Sequence, residues 1–160
     1  RTFIEPTQQI RSFGVKLKHN INKSLVKNKS LVLIDDSLVR GTTSVKIIRM
    51  LYEAGAREIH LRIASPPIKY PDYYGVDTPS YNELLASKLD IEEMRKFIDA
   101  TTLKFLSIEG LYKSMGYKKR NSSYPQFTDH CFTGEYPIEP IDANNEDNVN
   151  DHLSLMSSKN

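Results

Sequence analysis

The sequence predicts an α/β domain with a parallel sheet and flanking helices, and three observations carry that expectation. "SLVLIDD" is a short run of leucine and β-branched residues with no polar alternation, as expected of a strand covered on both faces. A helical apolar pattern and a second strand-like run follow it, so strand, turn, helix and strand fit within roughly 35 residues as a βαβ unit. A third short apolar run, "TLKFLS", comes after further helical sequence and supplies another strand.

The elements can be justified in order. Pro6 suits a helix start, and Ile10, Phe13, Leu17 and Ile21 repeat at helical spacing, so a helix is expected over Gln8–Asn22 with Arg11, Lys16, Lys18 and Lys23 outside. "VKNKS" is a polar turn before the first strand. Past "DDSLVRGTTS", Val45, Ile47, Ile48, Leu51 and Ala54 share one helical face, and Gly55 follows at the usual C-terminal place. "REIHLRIAS" alternates and reads as the second strand, whereas "SPPIKYPDYYGVDTPSY" holds four prolines and is expected to be loop. Helices are expected at Tyr81–Ser87 and Ile91–Ile98, the latter capped by Asp90, then the "TLKFLS" strand and a helix over Ile108–Met115. From Tyr117 onward the pattern fades, and "DANNEDNVNDH" nears low complexity.

Composition narrows the function classes. The 160 residues fit one domain, and 22 basic against 20 acidic side chains give no footprint for nucleic acid or an anionic membrane. No apolar run approaches the roughly 18–20 residues of a membrane span, and no signal-peptide pattern opens the chain. A lone cysteine, Cys131, cannot form an internal disulfide, which suits a reducing cytoplasm. His19, His60, His130 and His152 show no zinc-ligand spacing. The chain opens on Arg1 with no targeting features, and a piece of a longer polypeptide is the simplest expectation.

"LVLIDDSLVRGTTS" carries the chemistry. Ligands in open parallel sheets bind beyond the carboxyl ends of the strands, where Asp35 and Asp36 fall. Gly41 permits close backbone approach, Thr42, Thr43 and Ser44 add hydroxyl donors, and a helix start attracts phosphate. The carboxylates repel a phosphate but can hold sugar hydroxyls, or magnesium through its waters. Together they fit a phosphorylated sugar. For the aspartate pair alone a solvated strand end is the commoner explanation, and Thr42 or Thr43 is equally suited to capping the helix. No G-K-[ST] loop and no G-x-G-x-x-G occurs, which disfavours nucleotide triphosphate and dinucleotide sites.

At these residues the sequence resembles type I phosphoribosyltransferases, whose aliphatic strand, acidic pair and T/S-rich turn bind phosphoribosyl pyrophosphate (PRPP). "RTFIEPTQQIRSFGVKLK", "EAGAREIHLRIASPPI", "YYGVDTPSYNELLAS", "TLKFLSIEGL" and "CFTGEYP" narrow it to a resemblance, over Arg1 to about Pro137, with the C-terminal part of the amidophosphoribosyltransferase family. The resemblance implies residues 1–116 as the C-terminal part of a transferase domain and 117–160 as a largely irregular extension. The family's N-terminal glutaminase domain, with its cysteine nucleophile, is not in this chain, so no catalytic residue is assigned. Such enzymes move glutamine-derived ammonia onto PRPP, giving 5-phosphoribosylamine, glutamate and pyrophosphate at the start of purine synthesis.

By the same resemblance, Asp35 and Asp36 bind the ribose hydroxyls and Mg²⁺, and Arg40, Gly41, Thr42, Thr43 and Ser44 cradle the 5′-phosphate. Arg1 to Gln9, with Arg1, Thr2 and Gln8 foremost, match a loop that closes over PRPP. Asp77 lies in a loop near the family's active site, where a substrate contact and an Asx-turn role are equally open. Lys16 and Lys18 could meet phosphate but more often such residues form a solvated face. Feedback by purine nucleotides and a homotetramer are also implied. Some members hold an iron–sulfur cluster through four cysteines, two of them in a C-x₂-C pair just ahead of the "CFTG" segment. Here that approach reads "YPQFTDHCFTG", the other ligand position near Tyr70 reads Asp72, and one cysteine cannot build the cluster, so none is expected. His130 is expected to be incidental. The competing readings are a non-catalytic PRPP-binding regulator and a salvage phosphoribosyltransferase.

Overall fold

The computed structural model describes residues 21–76, 78 and 80–138. Its elements are α1 (Lys23–Val26), β1 (Ser30–Asp35), α2 (Thr42–Glu53), β2 (Glu58–Ile63), a 3₁₀ turn (Tyr81–Glu83), α3 (Leu85–Lys88), α4 (Ile91–Phe97), β3 (Thr102–Phe105), α5 (Ile108–Ser114) and α6 (His130–Thr133). The helix expected over Gln8–Asn22 lies outside the described residues except for its last two positions, of which Asn22 caps α1 by accepting from the Ser24 N–H.

The sheet is parallel, in the order β1-β2-β3, with Leu33, Leu61 and Leu103 side by side. Because side chains alternate along a strand, Ile59, Leu61 and Ile63 enter the core with Leu103, against Ile48, Met94 and Ile98 from the helices. Among the described residues nothing supplies the expected cover on the second face of β1. Val32 and Ile34 are 64% and 73% exposed, since they point away from the core that Leu33 packs against. On that open face β2 and β3 are polar instead: His60 bonds Ser30 and Thr102, and Arg62 donates to Thr102. That pairing explains the alternation in "REIHLRIAS".

The single helix expected at Tyr81–Ser87 is two short pieces. Leu84 takes an extended conformation between them and is fully buried, and Ser87 Oγ donates back to the Tyr81 and Leu84 carbonyls. Residues 117–138 contain one four-residue helix, yet they fold back and bury Asp129 and His130. Arg120 fastens this segment, donating to both Asp129 oxygens (2.5 and 3.0 Å) and to Glu135 (2.7 Å). Tyr112 of α5 donates to Asp129 as well, at 2.9 Å.

Candidate functional site

The β1–α2 turn brings Asp35, Asp36, Arg40, Gly41, Thr42, Thr43 and Ser44 to the carboxyl end of the sheet. Ala64 N–H, just past β2, donates to the Asp35 carbonyl at 2.9 Å and fixes the strand end. The Asp36 N–H donates to Asp35 Oδ1 (3.0 Å) and Ser37 Oγ to Asp36 Oδ1 (3.2 Å), so the acidic pair is ordered locally. Asp35 is half-buried and Asp36 exposed. Leu38 plugs the turn into the core at 2% exposure.

Gly41 opens α2 at φ +75°, where a residue with a side chain would be strained. A Cβ there would also come within 2.9 Å of Leu85 Cδ2 and 3.1 Å of Phe97 Cε1, so α3 and α4 press the turn closely. The Val39 carbonyl accepts from the Leu85 N–H at 2.8 Å, which fastens the same contact. The N-cap residue of α2, Gly41, has no side chain to cap it, and the first N–H groups of a helix have no intrahelical partners. Ser44 is buried, Thr43 half-buried and Thr42 exposed. The helix start and these hydroxyls suit an oxyanion, while the aspartates suit hydroxyls or a hydrated cation.

Arg40 does not stand alone. Its Nε and Nη2 each donate to a Glu83 oxygen at 3.2 Å, a paired contact across 43 residues that no local pattern announces. Hydrogen bonding from Arg40 outweighs burial and holds the Glu83 carboxyl below its ordinary value. Side-chain exposures of 46% and 51% leave the pair open to exchange with another anion. Arg1, Thr2, Gln8, Lys16, Lys18 and Asp77 lie outside the described residues.

A second cluster corrects the reading of His130 as incidental. His130 Nε2 meets Asp72 Oδ2 at 2.6 Å, and both side chains are almost wholly buried. Asp72, which stands where the cluster-binding relatives would place a ligand, is therefore bonded to His130. What hid the pair is distance, since 58 residues separate its members. Cys131, half-buried beside them, has its thiol pushed up by burial and by the nearby Asp72 charge, so it is a poor nucleophile.

No protein-family model matches the chain. Among curated proteins it is 57% identical over 159 residues to the amidophosphoribosyltransferase of Rhizobium etli, spanning 99% of this chain and 32% of that protein. Amidophosphoribosyltransferase 2, chloroplastic, of Arabidopsis thaliana is 52% identical over 142 residues, 89% of this chain and 24% of its own length. The chain thus spans about a third or less of these relatives. Among solved structures, the glutamine PRPP amidotransferase of Bacillus subtilis complexed with ADP and GMP superposes with a TM-score of 0.70 at 50% identity, covering 87% of this chain and 30% of that one. At that identity the likeness places the parallel sheet and its helices in the phosphoribosyltransferase type of α/β fold.

Proposed function

We propose, from the premise that this chain is a relative of the amidophosphoribosyltransferases along 99% of its length, that it supplies the PRPP-binding part of such an enzyme. The observation that carries the reading is the β1–α2 turn, where two carboxylates and a hydroxyl-rich helix start led by Gly41 share one end of a parallel sheet. In the proposed reaction the bond from ribose C1 to pyrophosphate breaks, ammonia nitrogen bonds to C1 and loses a proton, and pyrophosphate leaves with the bonding pair. Positive charge builds on the ribose as that bond loosens, as in other glycosyl displacements.

Each group then has a task. The Thr42–Ser44 start of α2 and the Arg40 guanidinium hold the 5′-phosphate and fix the sugar for attack. Asp35 and Asp36 accept from ribose hydroxyls and favour the positive ring, a gain larger in the transition state than in the ground state. Their hard oxygens, one carboxylate exposed, also fit magnesium, which takes one or two carboxylates and completes its shell with water and substrate phosphate. Among the described residues no group of three or more His, Cys, Asp or Glu side chains converges. Asp35 and Asp36 would hold Mg²⁺, which when bound supplies Lewis-acid neutralisation of the pyrophosphate. The residues do not fit an iron–sulfur cluster, because a lone cysteine cannot supply four thiolates.

The proposal extends to glutamine as the ammonia source, a purine-nucleotide regulator, a homo-oligomer and a cytoplasmic location. A purine nucleotide is supported by the Bacillus subtilis relative, whose structure holds ADP and GMP. Among the described residues no helix is long and apolar enough to cross a membrane. The test is the double substitution Asp35→Asn with Asp36→Asn in the full-length protein. Phosphoribosylamine formation is expected to vanish while glutamine still binds, and unchanged PRPP turnover would overturn the assignment. A wild-type protein that binds PRPP but never transfers ammonia would make it a regulator instead.

A further inference from the structure

We propose that Asp72 and His130 form a buried latch through which the segment 129–138 positions both the turn at 71–76 and the 3₁₀ turn that holds Arg40. A carboxylate only accepts, so His130 Nε2–H donates to Asp72 Oδ2, at 2.6 Å, with 2% and 8% of the two side chains exposed. His130 Nδ1 is buried without a hydrogen-bond partner among the described residues, which leaves Asp72 as the ring's polar anchor there. The ring itself is gripped from both sides of the latch. Tyr136 stacks on it at 4.3 Å and 24°, and Tyr74 meets it edge-on at 5.0 Å.

Both tyrosines are tied across to the opposite segment. Tyr136 hydroxyl donates to the Pro71 carbonyl at 2.6 Å. Tyr74 hydroxyl donates to the Ile138 carbonyl at 2.5 Å and accepts from its N–H at 3.0 Å. Asp72 is meanwhile the hub of the turn. Its Oδ1 accepts from the N–H groups of Tyr74 (2.7 Å) and Val76 (3.2 Å), and its own N–H donates to Thr78 Oγ1 (2.6 Å). Releasing His130 therefore frees the residue that folds the turn, as well as removing one contact.

The positioning reaches Arg40 by a second line. Lys69 and Tyr70 N–H groups both donate to the Cys131 carbonyl, at 2.9 and 3.1 Å. Gly134 lies so near the Tyr70 ring that an added Cβ would stand 3.0 Å from Cζ. The Tyr70 ring in turn lies 6.5 Å from that of Tyr81, the first residue of the 3₁₀ turn whose Glu83 holds Arg40. His130 is thus a positioning residue, acting through Asp72 and this turn. The latch stands on geometry alone, whereas its consequence for PRPP rests on the reading proposed above.

The experiment uses the full-length protein and three variants, with two readouts. His130→Phe keeps an aromatic ring for stacking but removes the donor, His130→Gln keeps an N–H donor, and Asp72→Asn tests the other partner should His130→Phe fail to fold. Amide hydrogen exchange over residues 69–83 reads the latch directly, and saturation kinetics with PRPP reads its consequence. His130→Phe is expected to speed exchange in the 72–76 turn about tenfold and raise the KM for PRPP about tenfold, with kcat within about twofold, and His130→Gln to recover part of both. Unchanged exchange in a folded His130→Phe or Asp72→Asn protein overturns the latch. Faster exchange with unchanged KM overturns the link to Arg40. Should the wild type bind no PRPP, the functional reading fails, and the exchange result still judges the latch.

Discussion

At Gly41 two constraints coincide, a backbone at φ +75° and a space closed by Leu85 and Phe97. Gly41→Ala is expected to cost about 1–3 kcal/mol, combining left-handed strain with displacement of packed side chains. Denaturant unfolding checks this, and a loss under about 0.5 kcal/mol would contradict it. Asp129 gives the acid-side counterpart. Burial alone would raise its carboxyl, but hydrogen bonds from Arg120 and Tyr112, with the Arg120 charge, outweigh it and hold it below the ordinary carboxylate value. A depressed carboxylate adds stability that is full above its unfolded value and fades as pH falls through the folded one. As pH falls below the ordinary carboxylate range the wild type should therefore lose stability more steeply than Asp129→Asn, as acid-titrated unfolding midpoints would reveal. Parallel curves would contradict this. The contrast in legibility is physical. The grouping of Asp35 to Ser44 is legible because a contiguous turn writes its residues side by side, whereas Glu83 and the Asp72–His130 pair meet only after the chain has folded.

At the scale of elements, local signals served best where they were self-contained. Asp90 accepts from the Glu93 N–H and Glu93 reaches back to the Asp90 N–H, a reciprocal cap spelled out by residues three apart. Asp90→Ala is expected to cost about 1 kcal/mol. Thermal unfolding of that variant, beside an exposed control such as Lys96→Ala, isolates the cap, and equal melting temperatures would count against it. The Tyr81–Ser87 reading went astray because apolar spacing cannot register that Leu84 fills the core from an extended conformation. A similar limit applies to β1. Its uninterrupted aliphatic run fits burial on both faces, but only alternation in space decides which residues the core receives, and Val32 and Ile34 are turned away from it. In this chain Val32→Thr should change stability by under about 0.5 kcal/mol, as surface substitutions do, whereas Leu61→Ala should cost about 2–5. Similar losses in the two would show Val32 to be covered.

Across the whole molecule, the parts that hold a phosphorylated sugar and the parts that perform a transfer need not reside in the same stretch of chain. The carboxylates, the glycine turn and the start of α2 together form one wall of the proposed site, built on the carboxyl end of a three-stranded sheet. The sequence spans 32% of the Rhizobium etli relative, so most of such a protein's residues are drawn from elsewhere. Phosphate recognition depends mainly on local backbone and hydroxyl donors, and one turn can provide it. Transfer makes a stricter demand, because ammonia must reach the ribose while water is kept from it, which takes an enclosing wall. The 160-residue chain by itself is therefore expected to form no phosphoribosylamine from PRPP and ammonia, while retaining weak affinity for PRPP with magnesium. Calorimetric titration and a product assay on the same preparation separate the two. Turnover by the chain alone would show that this wall suffices for the chemistry, and loss of binding with the fold intact would show that even recognition is shared with residues beyond it.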